Sequence, residues 1–148
     1  MPKEHSDEHT YQRDFKAEIE KFGGMAVSLS GSMFMAGMPD LLCISSTGNM
    51  LLVENKIYRN IKAPASAECV HKLLKGPQQA VIKHKLWRRN AACIIVAQSA
   101  IRPSIVHIAH KSRLINTKWI DLAKIISTSP LGYSFDLLLD SLPIVVSI

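Results

Sequence analysis

Asp40, Glu54 and Lys56 are the residues of this sequence whose types and spacing make a chemical set, two carboxylates and an amine. They flank two apolar runs, Leu41–Ile44 and residues 50–53, separated by Ser45-Ser46-Thr47-Gly48-Asn49. This pattern predicts a β-hairpin turning at Ser46-Thr47-Gly48, with Gly48 in the left-handed position that closes a three-residue loop. The register then sets Ile44 opposite Met50, Leu42 opposite Leu52 and Asp40 opposite Glu54. Directly opposed residues hold their Cβ atoms about 5 Å apart on one face. Lys56, two positions beyond Glu54, points to that face as well. Two carboxylates so placed repel by roughly 3 kcal/mol at an effective dielectric of about 20, so a proton or a cation must bridge them. Oxygen ligands with an open coordination sphere suit Mg²⁺ or Mn²⁺ better than zinc, which prefers His and Cys. An ion there polarises a phosphodiester and activates water, with Lys56 orienting that water or offsetting developing negative charge.

The elements that position this set are legible in outline. Tyr11, Phe15, Ile19 and Phe22 recur at helical spacing over residues 10–22, and Gly23-Gly24 ends that helix. A short strand is expected over 26–30 and a loop over 31–37. Both hairpin runs are apolar at nearly every position, so both faces are expected to be covered and the strands central. Gly76-Pro77 opens a helix to about Arg89, with proline favourable in the first turn. Strands are expected over 92–97 and 104–109, a helix over 117–127, and either helix or strand over 137–148. The order implies an α/β sandwich with a mixed sheet.

The chain has 148 residues, of which 47% are hydrophobic and 20% charged, enough for a core and inconsistent with a disordered tail or a coiled coil. A single domain is expected, with its core over about 10–110 and a C-terminal elaboration over 111–148. No apolar run approaches the roughly 20 residues that span a bilayer, and the polar start lacks the apolar stretch of a secretory signal. A cytoplasmic location is expected. Three widely spaced cysteines agree with it, Cys43 and Cys93 reading as small core residues. The net charge of +6 is concentrated: residues 57–90 hold eight basic residues and one acid, Glu68, and the rest of the chain sums to −1. Such a stretch is either a polyanion footprint or a solvated basic face. The histidine pairs His5/His9 and His107/His110 lack a third ligand and read as non-metal, and Trp87 and Trp119 read as core residues.

At Gly37-Met38-Pro39-Asp40 and Val53-Glu54-Asn55-Lys56 the sequence resembles the PD-(D/E)XK nuclease superfamily, and within it the VRR-NUC domains, which are similar to Holliday-junction resolvases. The resemblance spans about residues 11–97. It implies a restriction-endonuclease-like sandwich, a central mixed β-sheet flanked by helices. It implies Asp40 and Glu54 as metal ligands, the Asn55 carbonyl as a third, and Lys56 as the catalytic lysine. The helix glutamine of the family maps best to Gln79, which shares a face with Ile82 and Leu86; Gln78 is its rival. A first-helix glutamate of the family falls here on Gln12, so that Gln12, Glu18 or Glu8 would complete the metal site. Arg59, Lys62, Lys72, Lys75, Lys83 and Arg88 would then contact nucleic acid. The implied function is Mg²⁺- or Mn²⁺-dependent endonucleolytic cleavage of DNA, on branched substrates such as Holliday junctions or flaps and as a homodimer. The alternatives are a sequence-specific restriction or repair nuclease and a catalytically idle nucleic-acid-binding module.

Overall fold

Tyr11, Phe15 and Ile19 fall on one side of the first helix, and all three are buried against a sheet that the rest of the chain supplies. The computed structural model describes residues 8–29, 36–59 and 62–145. Helix α1 is Glu8–Lys21, and the six strands are β1 Met25–Ser28, β2 Leu41–Ile44, β3 Met50–Tyr58, β4 Cys93–Ser99, β5 Ile105–His110 and β6 Arg113–Lys118. They form one sheet in chain order, antiparallel throughout except for the parallel β3–β4 pair. A parallel neighbour requires a crossover. Here it contains α2 Ala67–His71 and α3 Gly76–Val81, the latter continuing through a π turn at Ile82–Leu86 and a 3-10 turn at Trp87–Arg89. Helices α4 Trp119–Thr128 and α5 Phe135–Ser141 complete the chain. The architecture is the expected α/β sandwich, a mixed sheet flanked by helices.

Side-chain alternation along β3 divides the interior. Leu51 and Val53 join Phe15, Ile19, Val96 and Leu122 in a first core, under α1, α4 and α5. Tyr58 and Leu52 point the other way, into a second core with Val70, Ile82, Trp87 and Ile95 under α2 and α3. With both faces covered, every residue of β4 is buried. The same cover explains why β3 outruns its apolar sequence. It continues through Glu54, Asn55 and Lys56, which are 1%, 5% and 4% exposed, because the parallel ladder to β4 holds these positions in the strand.

The hairpin register is the expected one: Ile44 pairs with Met50 and Leu42 with Leu52. Gly48 has φ +96°, and its N–H donates to the Ser45 carbonyl at 2.9 Å. The turn is also fastened to the end of α4. The Ser45 hydroxyl donates to the Ser129 carbonyl at 2.8 Å, and the Asn49 amide donates to the Ser129 hydroxyl at 3.1 Å.

Two elements depart from the sequence reading. Residues 113–118 form a sixth strand, where no strand was expected. The turn before it bends at Lys111, φ +55°, a residue type that does not announce a left-handed position. Helix α2, capped by the Ser66 hydroxyl accepting from the Cys69 N–H, lies in the basic stretch, where no helix was expected before Gly76. The C-terminal elaboration expected over 111–148 packs on the sheet, with Ile115, Leu122, Ile126, Phe135 and Leu139 in the first core. Of the loop expected over 31–37, residues 31–35 lie outside the described residues, as do Ser30, His5 and residues 146–148. No helix among the described residues is long and apolar enough to cross a membrane.

Candidate active site

Glu54 and Lys56 alternate with Val53 and Asn55, so their side chains turn into the second core between β3 and α3. The Lys56 Nζ lies 3.6 Å from Glu54 Oε2. A carboxylate buried this deeply requires a countercharge and hydrogen-bond donors. The second donor comes from α3: Gln78 Nε2 donates to Glu54 Oε2 at 2.9 Å. The backbone fixes which end of that amide faces the acid. Lys75 N–H donates to Gln78 Oε1 at 2.9 Å, so the amide nitrogen is delivered to the carboxylate.

Asp40 lies one step beyond the last paired residues of the hairpin, Leu41 and Val53. Its Oδ2 accepts from the Asn55 N–H at 3.0 Å. The side chain thus substitutes for a strand partner where β2 has not yet begun. It also ties the acid to the residue next to Glu54. The loop carrying Asp40 is docked on α3 through Gly37, whose φ is +89°. A Cβ built at Gly37 would stand 2.2 Å from the Pro77 carbonyl oxygen. Only glycine permits that approach, and it places the first turn of α3, with Gln78, beside the acids.

Of the two candidate glutamines, the structure brings Gln78 and not Gln79 to Glu54. Gln79 donates to the Leu74 carbonyl at 3.1 Å and closes the bend between α2 and α3, whereas Gln78 reaches Glu54. The face was inferred from Ile82 and Leu86 as if the helix were unbroken. The π turn between them, marked by the Trp87 N–H bonding to the Ile82 carbonyl, rotates Leu86 relative to the first turn. Gln78→Ala is expected to lower any Glu54-dependent activity by about tenfold to a hundredfold with little loss of fold; Gln79→Ala is expected to cost stability alone. Parallel activity assays and melts of the two variants check the assignment.

The first helix does not complete the set. Glu18 lines a cleft with Gln98 and Trp119, and Gln98 alternates with Ile94 and Val96 of the first core, so Glu18 stands on the face of the sheet away from Glu54. The structure therefore does not bring Glu18 together with Asp40 and Glu54. Gln12 is buried at 8% exposure, and the Glu8 side chain lies outside the described residues. Among the described residues no three of His, Cys, Asp and Glu stand together. The chain's own donors are all oxygen: Asp40, Glu54 and the Asn55 carbonyl. That set fits a hard ion that retains several waters, as Mg²⁺ does, and not zinc.

The basic residues lie along the crossover from β3 to β4. Arg59 follows β3 directly, Lys75 is the residue before α3, and these two with Lys62, Lys72 and Arg88 are exposed, while Lys83 is half-buried. Behind the site, the Tyr58 hydroxyl meets His107 Nε2 at 2.7 Å, and His107 Nδ1 meets Asn116 Oδ1 at 2.6 Å. With the amide oxygen accepting from Nδ1–H, Nε2 accepts from the tyrosine hydroxyl, and the ring is neutral. His110 Nδ1 lies 2.9 Å from Asp136 Oδ1. Burial pushes His71, His107 and His110 below the ordinary value of 6.5. A depressed histidine is neutral in the fold and takes up its proton more readily when unfolded. The stability it secures is thus present above pH 6.5 and declines as pH falls from there through the lowered folded values. Melting temperatures measured across that range are expected to fall on the acid side. Trp87, whose indole N–H donates to the Cys93 carbonyl at 2.8 Å, is a core residue as expected. Trp119 is half-buried against Phe15, its ring centroid 6.3 Å away. Burial pushes the Cys43 thiol up to about 12; Cys93 is raised by burial first and by the nearby Glu54 charge second.

No family model matches the sequence, and no curated protein matches it. Among solved structures the chain is similar to Hjc, a Holliday junction resolvase from the archaeal hyperthermophile Archaeoglobus fulgidus. The identity is 14% and the TM-score 0.43, over 74% of this chain and 73% of that one. At that score the likeness assigns neither chemistry nor substrate to this chain.

Proposed function

We propose that this chain is a divalent-metal-dependent DNA endonuclease of the PD-(D/E)XK type, acting on branched DNA as a homodimer. The observation that carries the reading is the buried Glu54–Lys56 pair on a central strand, beside Asp40 and under a basic crossover. A fold that needed only stability would fill those positions with apolar residues, because a buried ion pair is at best neutral for stability. Asp40, Glu54 and the Asn55 carbonyl would hold the ion. When bound, Mg²⁺ or Mn²⁺ supplies Lewis-acid stabilisation of the phosphodiester oxygens. Gln78 holds Glu54 in one orientation. Lys56 places a fixed cation where negative charge grows on the phosphorus centre, in a site from which water is largely excluded. Arg59, Lys62, Lys72, Lys75, Lys83 and Arg88 would take the flanking phosphates and set the strand's path. The preference for branches and the dimer follow from the motif resemblance alone.

A panel of four-way junction, flap and linear duplex DNAs, with Mg²⁺, Mn²⁺ or a chelator, tests the reading. Cleavage of the branched substrates only in the presence of an ion is the expected result. Cutting of linear duplex at defined positions would favour the restriction-type alternative. Binding without cleavage in both ions would favour an idle module, the reading to which Gln12 lends weight.

A further inference from the structure

Asp40 stands where β2 begins, and at that same end of the sheet β3 and β4 finish in register, Tyr58 beside Ser99. Residues 100–104 turn the chain there from β4 into β5. Lys56 is level with Ala97, so β4 runs only two residues, about 7 Å, past the lysine before this connection begins. That distance matches about two nucleotide steps along a strand.

Most of the connection's backbone is fixed. The Ala100 N–H donates to the Tyr58 carbonyl at 3.0 Å, and the Ile101 and Arg102 N–H groups donate to the Ser99 hydroxyl at 3.1 and 3.0 Å. The Ile105 N–H closes the turn on the Arg102 carbonyl at 3.2 Å, and the Trp119 N–H donates to the Ser104 carbonyl at 2.9 Å. The Gln98 amide donates to the Pro103 carbonyl. On this support the Ile101 side chain is 61% exposed. A stray exposed isoleucine is ordinary on a surface. This one rides on a loop tied to β3, β4 and α4, with cations around it. Arg102 follows it, Arg59 follows Tyr58 and so stands beside Ala100, and Lys118 is level with Ile105; all three are exposed. Burial raises the Tyr58 hydroxyl above its ordinary value, while the Ser99 hydroxyl and the Arg102 charge pull it down. The guanidinium therefore lies near the face that Tyr58 shares with Glu54 and Lys56.

An aliphatic side chain on a rigid support among cations fits DNA whose base stack is open. The cations take phosphates, while the aliphatic wedge enters a base step and exchanges water for base surface. In continuous duplex that entry must first break a stack; where strands branch, the stack is already interrupted. We propose that Ile101 is the wedge that distinguishes branched from continuous DNA, seated at an open base step near the reacting phosphate, with Arg59, Arg102 and Lys118 on neighbouring phosphates. This rests on the DNA-cleaving reading above and gives its branch preference a physical source.

Binding of a four-way junction and of its component linear duplex, with a chelator present, tests this. Each DNA carries 2-aminopurine in place of adenine at the steps that flank the branch point in the junction. The parent is expected to bind the junction more tightly and to brighten a 2-aminopurine there as its stack opens. Ile101→Ala is expected to lose that brightening and about tenfold in junction affinity, at unchanged duplex affinity and melting temperature. Ile101→Leu is expected to keep both. Arg102→Ala is expected to weaken both DNAs alike and to lower the salt slope by about 1. Equal binding of the two DNAs by the parent, an Ile101→Ala variant that matches the parent, or one weakened alike on both DNAs would overturn the wedge. Cleavage by the same proteins in Mg²⁺ separates the two readings. A parent that opens the junction yet cuts no DNA overturns the nuclease and leaves the wedge standing. Junction cleavage with no preference lost in Ile101→Ala overturns the wedge and leaves the nuclease.

Discussion

Glu54→Gln and Lys56→Met are each expected to abolish DNA cleavage and to lower stability sharply, while the double variant stays inactive and regains most of the lost stability. The two side chains are 1% and 4% exposed and 3.6 Å apart. Removing one member of a buried pair costs on the order of 3–5 kcal/mol, whereas removing both leaves no half-pair behind. In the double variant Gln78 still has an amide oxygen to donate to, so the polar network stays matched. Catalysis obeys a different rule. A fixed cation facing charge that develops in the reaction is worth about a hundredfold to a thousandfold, and no repacking of the interior restores it. Denaturant melts of the three variants with a cleavage assay separate the two ledgers. Additive stability losses, with no recovery in the double variant, would show that the pair is not coupled as described.

Asp40→Asn separates the proposed metal-holding role from the structural one. The asparagine oxygen can still accept from the Asn55 N–H, which Asp40 Oδ2 does now at 3.0 Å, so the turn and the fold are expected to survive. Only the negative charge is lost. A hard divalent ion held by two carboxylates and a carbonyl loses much of its attraction when one carboxylate becomes neutral. Cleavage is expected to fall by at least about a hundredfold at limiting Mg²⁺, with partial recovery as the ion is raised. A variant that cut DNA as well as the parent at every Mg²⁺ concentration would remove Asp40 from the site.

Much of this centre was legible because a hairpin is a local object. A three-residue turn with glycine in its last position fixes the register, and the register alone brings Asp40 toward Glu54. What could not be read depended on distant contacts. Glu54 to Lys56 look like strand-end residues in the sequence, and only the parallel partner β4 makes them interior. Gln79 was chosen over Gln78 because no residue type announces a π turn. Strand β6 was hidden by its half-polar pattern and by a left-handed lysine in the turn before it. Glu18 interrupts the apolar stripe of α1, and from sequence its direction was open; the β4–β5 connection, which forms one wall of its cleft, decides it.

The ties between the hairpin turn and Ser129 have a consequence at the far end of the strands. Side chains alternate along a strand, so a one-residue slip of β2 against β3 would turn Asp40 to the face opposite Glu54. The bonds from Ser45 and Asn49 to Ser129 act as a detent against that slip. Residues remote from the candidate site thereby share the constraint on its placement, and variation at position 129 is coupled to the geometry of residues some eighty positions earlier in the chain.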